Sequence, residues 1–173
     1  MVINDDVRAR VTSYIQHQGT KSSAGLADLV RTSQERFIEL AAAVPDAISA
    51  KQPAQGEWSM RELIRHVIGA ESLVASLIHD LARGIETPRD GGLGMTIPDD
   101  GRPYASFIEQ LRATNAATLA AINDLPPEPN LALKAPHPFF GPLNCREWAA
   151  FQRVHDEDHV QHGTKIIAAF SAG

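Results

Sequence analysis

Near the C-terminus, the run His155-Asp-Glu-Asp-His159-Val-Gln-His162 gathers three of the chain's seven histidines and three carboxylates into eight residues. His155 and His159 are four residues apart, which on a helix puts both imidazoles on one face, a turn apart. That face is also the apolar one, and a buried polar pair is costly unless satisfied. A divalent cation satisfies two neutral imidazoles at once, and nitrogen ligands suit Zn2+ and Ni2+ alike. His162 is seven residues from His155, about 10.5 Å along the axis, so the three cannot meet one ion. A third ligand must come from another helix, and His162 is a candidate for the substrate pocket or for the groups surrounding the ligands. His66 is the candidate, because it interrupts an apolar stripe between Leu63 and Ala70. The expected site is His66, His155 and His159 around one ion, with water or substrate completing an open coordination position.

Other reactive residues are weighed against plainer roles. Asp156, Glu157 and Asp158 read as a solvated face, with Asp156 also a candidate to orient a ligand's second nitrogen. Glu71, five residues after His66, fits either a pocket carboxylate acting as general base or a rim salt bridge. His17, His79 and His137 have no histidine partner at helical spacing and read as surface or loop residues. Cys145 is the only cysteine, so no intrachain disulfide forms. It precedes His155 by about 15 Å of helix, and packing is its expected role.

Five helical segments position these groups, and strict strand alternation is absent, so the expected class is all-α. The first spans about 5–18 and closes at Gly19. The second starts at Ser22 or Ser23 and runs to about Val44, carrying Leu26, Leu29 or Val30, Ser33, Phe37 and Leu40 on one face. The third begins at the capping box Ser59-Met-Arg-Glu62, bears Leu63, His66 or Val67, Ala70, Leu73 or Val74, Leu77 and Leu81, and ends before Gly84. The fourth opens at Pro103 and runs to about Asp124. The fifth starts with a second capping box, Asn144-Cys-Arg-Glu147, and carries Trp148, Phe151, His155, His159, His162 and Ile166. Residues 1–21 read as a helical extension packed outside a four-helix bundle formed by residues 22–173. An up-and-down path makes the third and fifth segments parallel, and puts Leu125–Leu143 at the end where both begin. There Phe139 and Phe140 serve as a pocket wall or as a plug over the bundle end. Ile85–Arg102 and Leu125–Leu143 exceed the roughly 2–8 residues usual between bundle helices.

Composition bounds the partners. The net charge of −5 argues against nucleic acid and anionic membranes, and no apolar run approaches the ~20 residues that span a bilayer. The N-terminus lacks the basic-then-apolar order of a signal peptide, which points to the cytoplasm. The expected partner is a small-molecule substrate, with a homodimer left open.

Gly56-Glu-Trp58-Ser-Met-Arg-Glu62 leading to His66 and Glu71, then Pro138-Phe-Phe-Gly141-Pro-Leu-Asn-Cys-Arg-Glu147-Trp148 leading to His155 and His159, resembles the DinB-like (YfiT-like) metalloenzyme family. The resemblance covers roughly Ser22 to Phe170. It implies an up-and-down four-helix bundle with three histidine ligands for Ni2+ or Zn2+, which carry over as His66, His155 and His159. The family often has Gln three residues past the last ligand, where this chain has His162, so no role borrowed for that position transfers. Members include transferases and isomerases that use low-molecular-weight thiols such as mycothiol or bacillithiol. The resemblance thus implies a metal-dependent, thiol-using transferase. A metal-dependent hydrolase and a non-catalytic, metal-stabilised sensor or interaction module are the alternatives.

Overall fold

The computed structural model describes residues 4–86 and 95–171. Part of the expected connection Ile85–Arg102, residues 87–94, lies outside the described residues. The elements are α1 (Asp5–Gln18), α2 (Ser23–Ala42), α3 (Asp46–Ser49), α4 (Met60–Ala82), α5 (Tyr104–Asn123), β1 (Ala135–His137), β2 (Gly141–Leu143) and α6 (Cys145–Ser171). The fold is all-α, and α2, α4, α5 and α6 form a four-helix bundle.

The helix ends follow their local chemistry. Both capping boxes form. Glu62 N–H donates to Ser59 Oγ at 3.2 Å while Ser59 N–H donates to Glu62 Oε2 at 2.7 Å. At α6, Glu147 N–H donates to Asn144 Oδ1 at 3.0 Å and Asn144 N–H donates to Glu147 Oε2 at 2.9 Å. Such caps satisfy backbone donors that the helix leaves orphaned. At the end of α4, Ile85 N–H donates to Asp80 O and Gly84 N–H to Leu81 O, the Schellman pattern, with Gly84 at φ 71° where a Cβ is disfavoured.

Two apolar clusters fill the bundle. One joins Leu26 and Val30 of α2 to Val74, Leu77 and Leu81 of α4, Ile122 of α5 and Trp148 of α6. The other joins Phe37 and Ala41 of α2 to Leu63 and Ile64 of α4, Phe107 and Leu111 of α5 and Ile166 of α6. These memberships fix the helix directions: α4 and α5 are parallel to each other, and α2 and α6 run the opposite way. The ion pair of Arg83 with Asp124 at one end agrees, as does Arg61 Nη2 donating to Arg102 O at the other.

The path is therefore up-down-down-up, which corrects the up-and-down expectation. α4 and α6 are antiparallel neighbours rather than parallel ones. The reason lies in the length of the connection between α4 and α5. A helix of 23 residues is about 34 Å long, and some twenty residues of chain can run back along it. Residues 95–102 do so: Ile97 N–H donates to Arg65 O, Arg65 Nε donates to Ile97 O at 2.8 Å, and Arg61 pairs with Asp99 through two bonds of 2.8 Å. Gly69 permits the approach, because a Cβ there would lie 2.1 Å from Met95 O.

The path also moves Leu125–Leu143 away from the end at which α4 begins. Segment 45–58 sits where α4 begins and α6 ends. Leu125–Leu143 sits at the opposite end and contains the antiparallel hairpin β1–β2, with Pro136 opposite Pro142. Strands of three residues are too short to show an alternating pattern, which is why no strand was expected here. α1 packs outside the bundle against α6, burying Ile15, with Tyr14 Oη accepting from Arg153 Nη1 at 2.6 Å. No helix among the described residues is long and apolar enough to cross a membrane.

Candidate metal centre

Between the apolar clusters lies a polar layer drawn from all four bundle helices. Ser33 and Gln34 come from α2, Glu71 from α4, Asn115 and Thr118 from α5, and Gln152 and Asp156 from α6, all buried. The histidines occupy the α4–α6 seam beside this layer. His66 lies in the second turn of α4, opposite the middle of α6, where His155 and His159 project one turn apart. One imidazole nitrogen from each of His66, His155 and His159 falls within 4.8 Å of the others. The Nε2 atoms of His155 and His159 are 3.0 Å apart.

The surroundings keep these rings neutral. Burial lowers the His66 imidazole, helped by His162. Burial first, then His159, His66 and His137, holds His155 well below the usual imidazole range. Burial, then His66 and His162, pushes His159 down to about 3. Desolvation penalises the protonated ring, so at neutral pH three nitrogen lone pairs are available. That is the state a divalent cation requires.

The residues therefore fit a cation. A separation of 3.0 Å suits two nitrogens bound at ~2.0–2.1 Å to one ion, and His159 borders a cavity from which a further ligand could approach such an ion. Among the described residues, the Nδ1 atoms of all three rings are buried without a hydrogen-bond partner. Metal-bound imidazoles usually donate that N–H to a carboxylate or carbonyl. Here packing orients the rings instead: Trp58 lies 5.0 Å from His66 and Phe151 lies 5.8 Å from His155, centroid to centroid.

Several sequence-based expectations change. Asp156 is 1% exposed, not solvated, and accepts from Ser33 Oγ at 2.8 Å and Gln152 Nε2 at 2.7 Å. α6 packs against both α2 and α4, so its buried arc is wider than one stripe and includes position 156. Glu157 pairs with Arg36 at 2.6 Å, leaving Asp158 exposed. Glu71 is neither at a rim nor in the cavity. It is fully buried, Gln34 Nε2 donates to it, and Asn115, with its amide nitrogen facing the carboxylate, donates to Oε2 at 2.7 Å. Burial and the nearby Asp156 push Glu71 well above the usual carboxylate range.

His137 also departs from its surface reading. It is 5% exposed and lodged 4.4 Å from the Phe151 ring, and its Nδ1 accepts N–H donors from Phe139 and Phe140 at 3.1 and 3.2 Å. Phe140 packs on the apolar cluster at the α6 start, while Phe139 is 48% exposed, and neither lines the cavity beside His159. Cys145 is buried, with Sγ 3.8 Å from Asn130 O, in keeping with packing.

That cavity, about 490 Å3, opens between segment 53–58 and the last turns of α6, with Trp58, His159, His162 and Lys165 on its walls. His162 lines this cavity, which adjoins His159. Trp58 belongs to the motif that carries the family resemblance but had no expected role at the site. Its signal was an aromatic directly before a capping box, and its ring lies 5.8 Å from His162 at an interplanar angle of 26°.

Fold and site together define a four-helix bundle with a histidine cluster in the seam of two antiparallel helices, next to a solvent-facing cavity. Residues 29–162 match the DinB superfamily, and the chain belongs to it. No curated protein matches the chain. Among solved structures, TT2238, described as a four-helix bundle protein, shares 20% identity at a TM-score of 0.57, covering 81% of this chain and 98% of its own. A mycothiol-dependent maleylpyruvate isomerase shares 13% identity at a TM-score of 0.65, over 82% of this chain and 60% of that one. A mutant of the isomerase, with one histidine replaced by alanine, shares 14% at a TM-score of 0.63, over 80% of this chain and 60% of its own. At these identities the likeness establishes the fold, and this chain spans about 60% of the isomerase's length.

Proposed function

We propose that the protein binds one divalent metal ion, Ni2+ or Zn2+, through His66, His155 and His159, and uses it as a transferase acting with a low-molecular-weight thiol. The observation that carries the reading is the convergence of three neutral imidazole nitrogens within 4.8 Å beside an open cavity. When bound, such an ion supplies Lewis acidity that holds a thiol as its thiolate at neutral pH. The chain's own residues do the rest. The three histidines fix the ion's place, Trp58 and His162 narrow the approach, and the apolar cluster around Phe37 and Ile166 closes the bundle beyond the cavity.

The thiol half of the reading is supported by the shared fold of the mycothiol-dependent isomerase. Metal-dependent hydrolysis is favoured less. Glu71 and Asp156, the buried carboxylates of the polar layer, do not border the cavity, where, among the described residues, Glu57 is the acidic one.

Elemental analysis after reconstitution tests the site. Wild type is expected to retain about one equivalent of metal, and His66→Ala and His155→Ala little. Equal and negligible metal in all three proteins refutes the site. The Co2+-loaded wild type should also change its visible spectrum on addition of a small thiol. A loaded protein whose spectrum no thiol perturbs refutes the thiol reading and leaves the metal site standing.

A further inference from the structure

The cavity beside His159 has one chemically distinctive feature beyond the histidines. His159, His162 and Lys165 follow one another at intervals of three on α6 and form one ridge along its wall. From His159 to Lys165 is six residues, about 9 Å along the axis. Lys165 is exposed and makes no ion pair among the described residues, so its ammonium is available to a ligand. On the opposite wall stands Trp58, 37% exposed, its ring roughly parallel to His162. Glu57 is the one acidic residue bordering the cavity among the described residues. With a divalent ion on three neutral imidazoles, the ion and Lys165 together outweigh Glu57, and the local field favours an anion.

We propose that this cavity selects thiols bearing a carboxylate at the end remote from sulfur, with Lys165 the charge partner of that carboxylate and Trp58 covering the chain between. This rests on the metal-and-thiol reading above and adds to it a substrate class and a specificity-determining residue. The sulfur loses its proton to bulk water as it binds the ion, and the carboxylate, already ionised, needs no proton transfer. Lys165 donates to it as a compact point charge at a distance a chain of five or six carbons can span.

The test uses Co2+-loaded protein and two thiols of equal length, 6-mercaptohexanoate and 6-mercapto-1-hexanol, with binding read from the Co2+ absorption spectrum. In wild type the acid is expected to bind about fivefold more tightly than the alcohol, the upper range for a solvent-exposed ion pair. In Lys165→Gln the preference is expected to fall to about one, through loss of the acid's affinity. In wild type, 0.5 M KCl should shrink it likewise. Trp58→Ala is expected to weaken both thiols while keeping their ratio. Equal affinities in wild type, or a preference that survives in Lys165→Gln, overturn the proposal while the Co2+ spectrum shows the metal site intact. Failure to take up Co2+, or a Co2+ spectrum that neither thiol alters, overturns the underlying reading and this inference with it, and each result has a distinct spectral signature.

Discussion

Replacing His159 by Gln in metal-free protein should remove a specific part of the pH dependence of stability. In the folded chain His159 is 8% exposed and its imidazole is pushed down to about 3, chiefly by burial. Unfolded, it takes up a proton near its ordinary value of ~6.5. Between these values the unfolded state holds the extra proton, so stability falls as pH drops from about 6.5 toward 3 and is level above that window. Integrating this one site from pH 7 to pH 5 gives a loss of roughly 2 kcal/mol. For a chain of this size that corresponds to about 4–8 °C in melting temperature. Urea unfolding of wild type and His159→Gln at pH 7 and pH 5, both with excess chelator, measures it. The variant's stability relative to wild type should improve by roughly 2 kcal/mol at the lower pH. Taking the difference between the two proteins cancels the contributions of groups that do not interact with His159, Glu71 and Asp156 among them. If the two proteins lose stability in parallel, within about 0.5 kcal/mol, then His159 is not buried as a neutral ring and the argument is wrong.

Asp156→Asn should behave with the opposite sign. Burial raises the Asp156 carboxyl to about 7, so its contribution is lost as pH rises from the ordinary carboxylate range toward 7, and the variant should gain on wild type between pH 5 and pH 7 in the same unfolding assay. Gly69→Val places side-chain carbon where Met95 O now lies, so a destabilisation of about 1–3 kcal/mol is expected, with faster proteolysis within 95–102; an unchanged melting temperature counts against the strap. Ser59→Ala removes one half of the capping box, and its expected cost is about 1 kcal/mol by denaturant titration, with metal content retained. Saturating Zn2+ at about 100 times its Kd should stabilise wild type by about 2.7 kcal/mol and His155→Ala by almost nothing; equal shifts in the two proteins argue against that ligand.

The long helices and the ligand candidates were legible in the sequence, because both are written in local terms. Capping boxes at Ser59 and Asn144 and the glycine at position 84 are read within a few residues. The spacing of His155 and His159 fixes their common face whatever packs against it. The path of the chain was not legible in this way. Whether α5 runs with or against α4 depends on where the connection between them goes, and that is set by contacts remote in sequence, Arg61 with Asp99 and Gly69 with Met95. From that path follows the position of each loop, so the tertiary structure alone assigned the cavity to Trp58 and Lys165 and removed Phe139 and Phe140 from it. Burial of Asp156 and Glu71 was decided at the same level. A helix flanked by two neighbours buries a wider arc than one apolar stripe marks, and the donors that make those acids tolerable, Ser33, Gln34, Asn115 and Gln152, come largely from other helices.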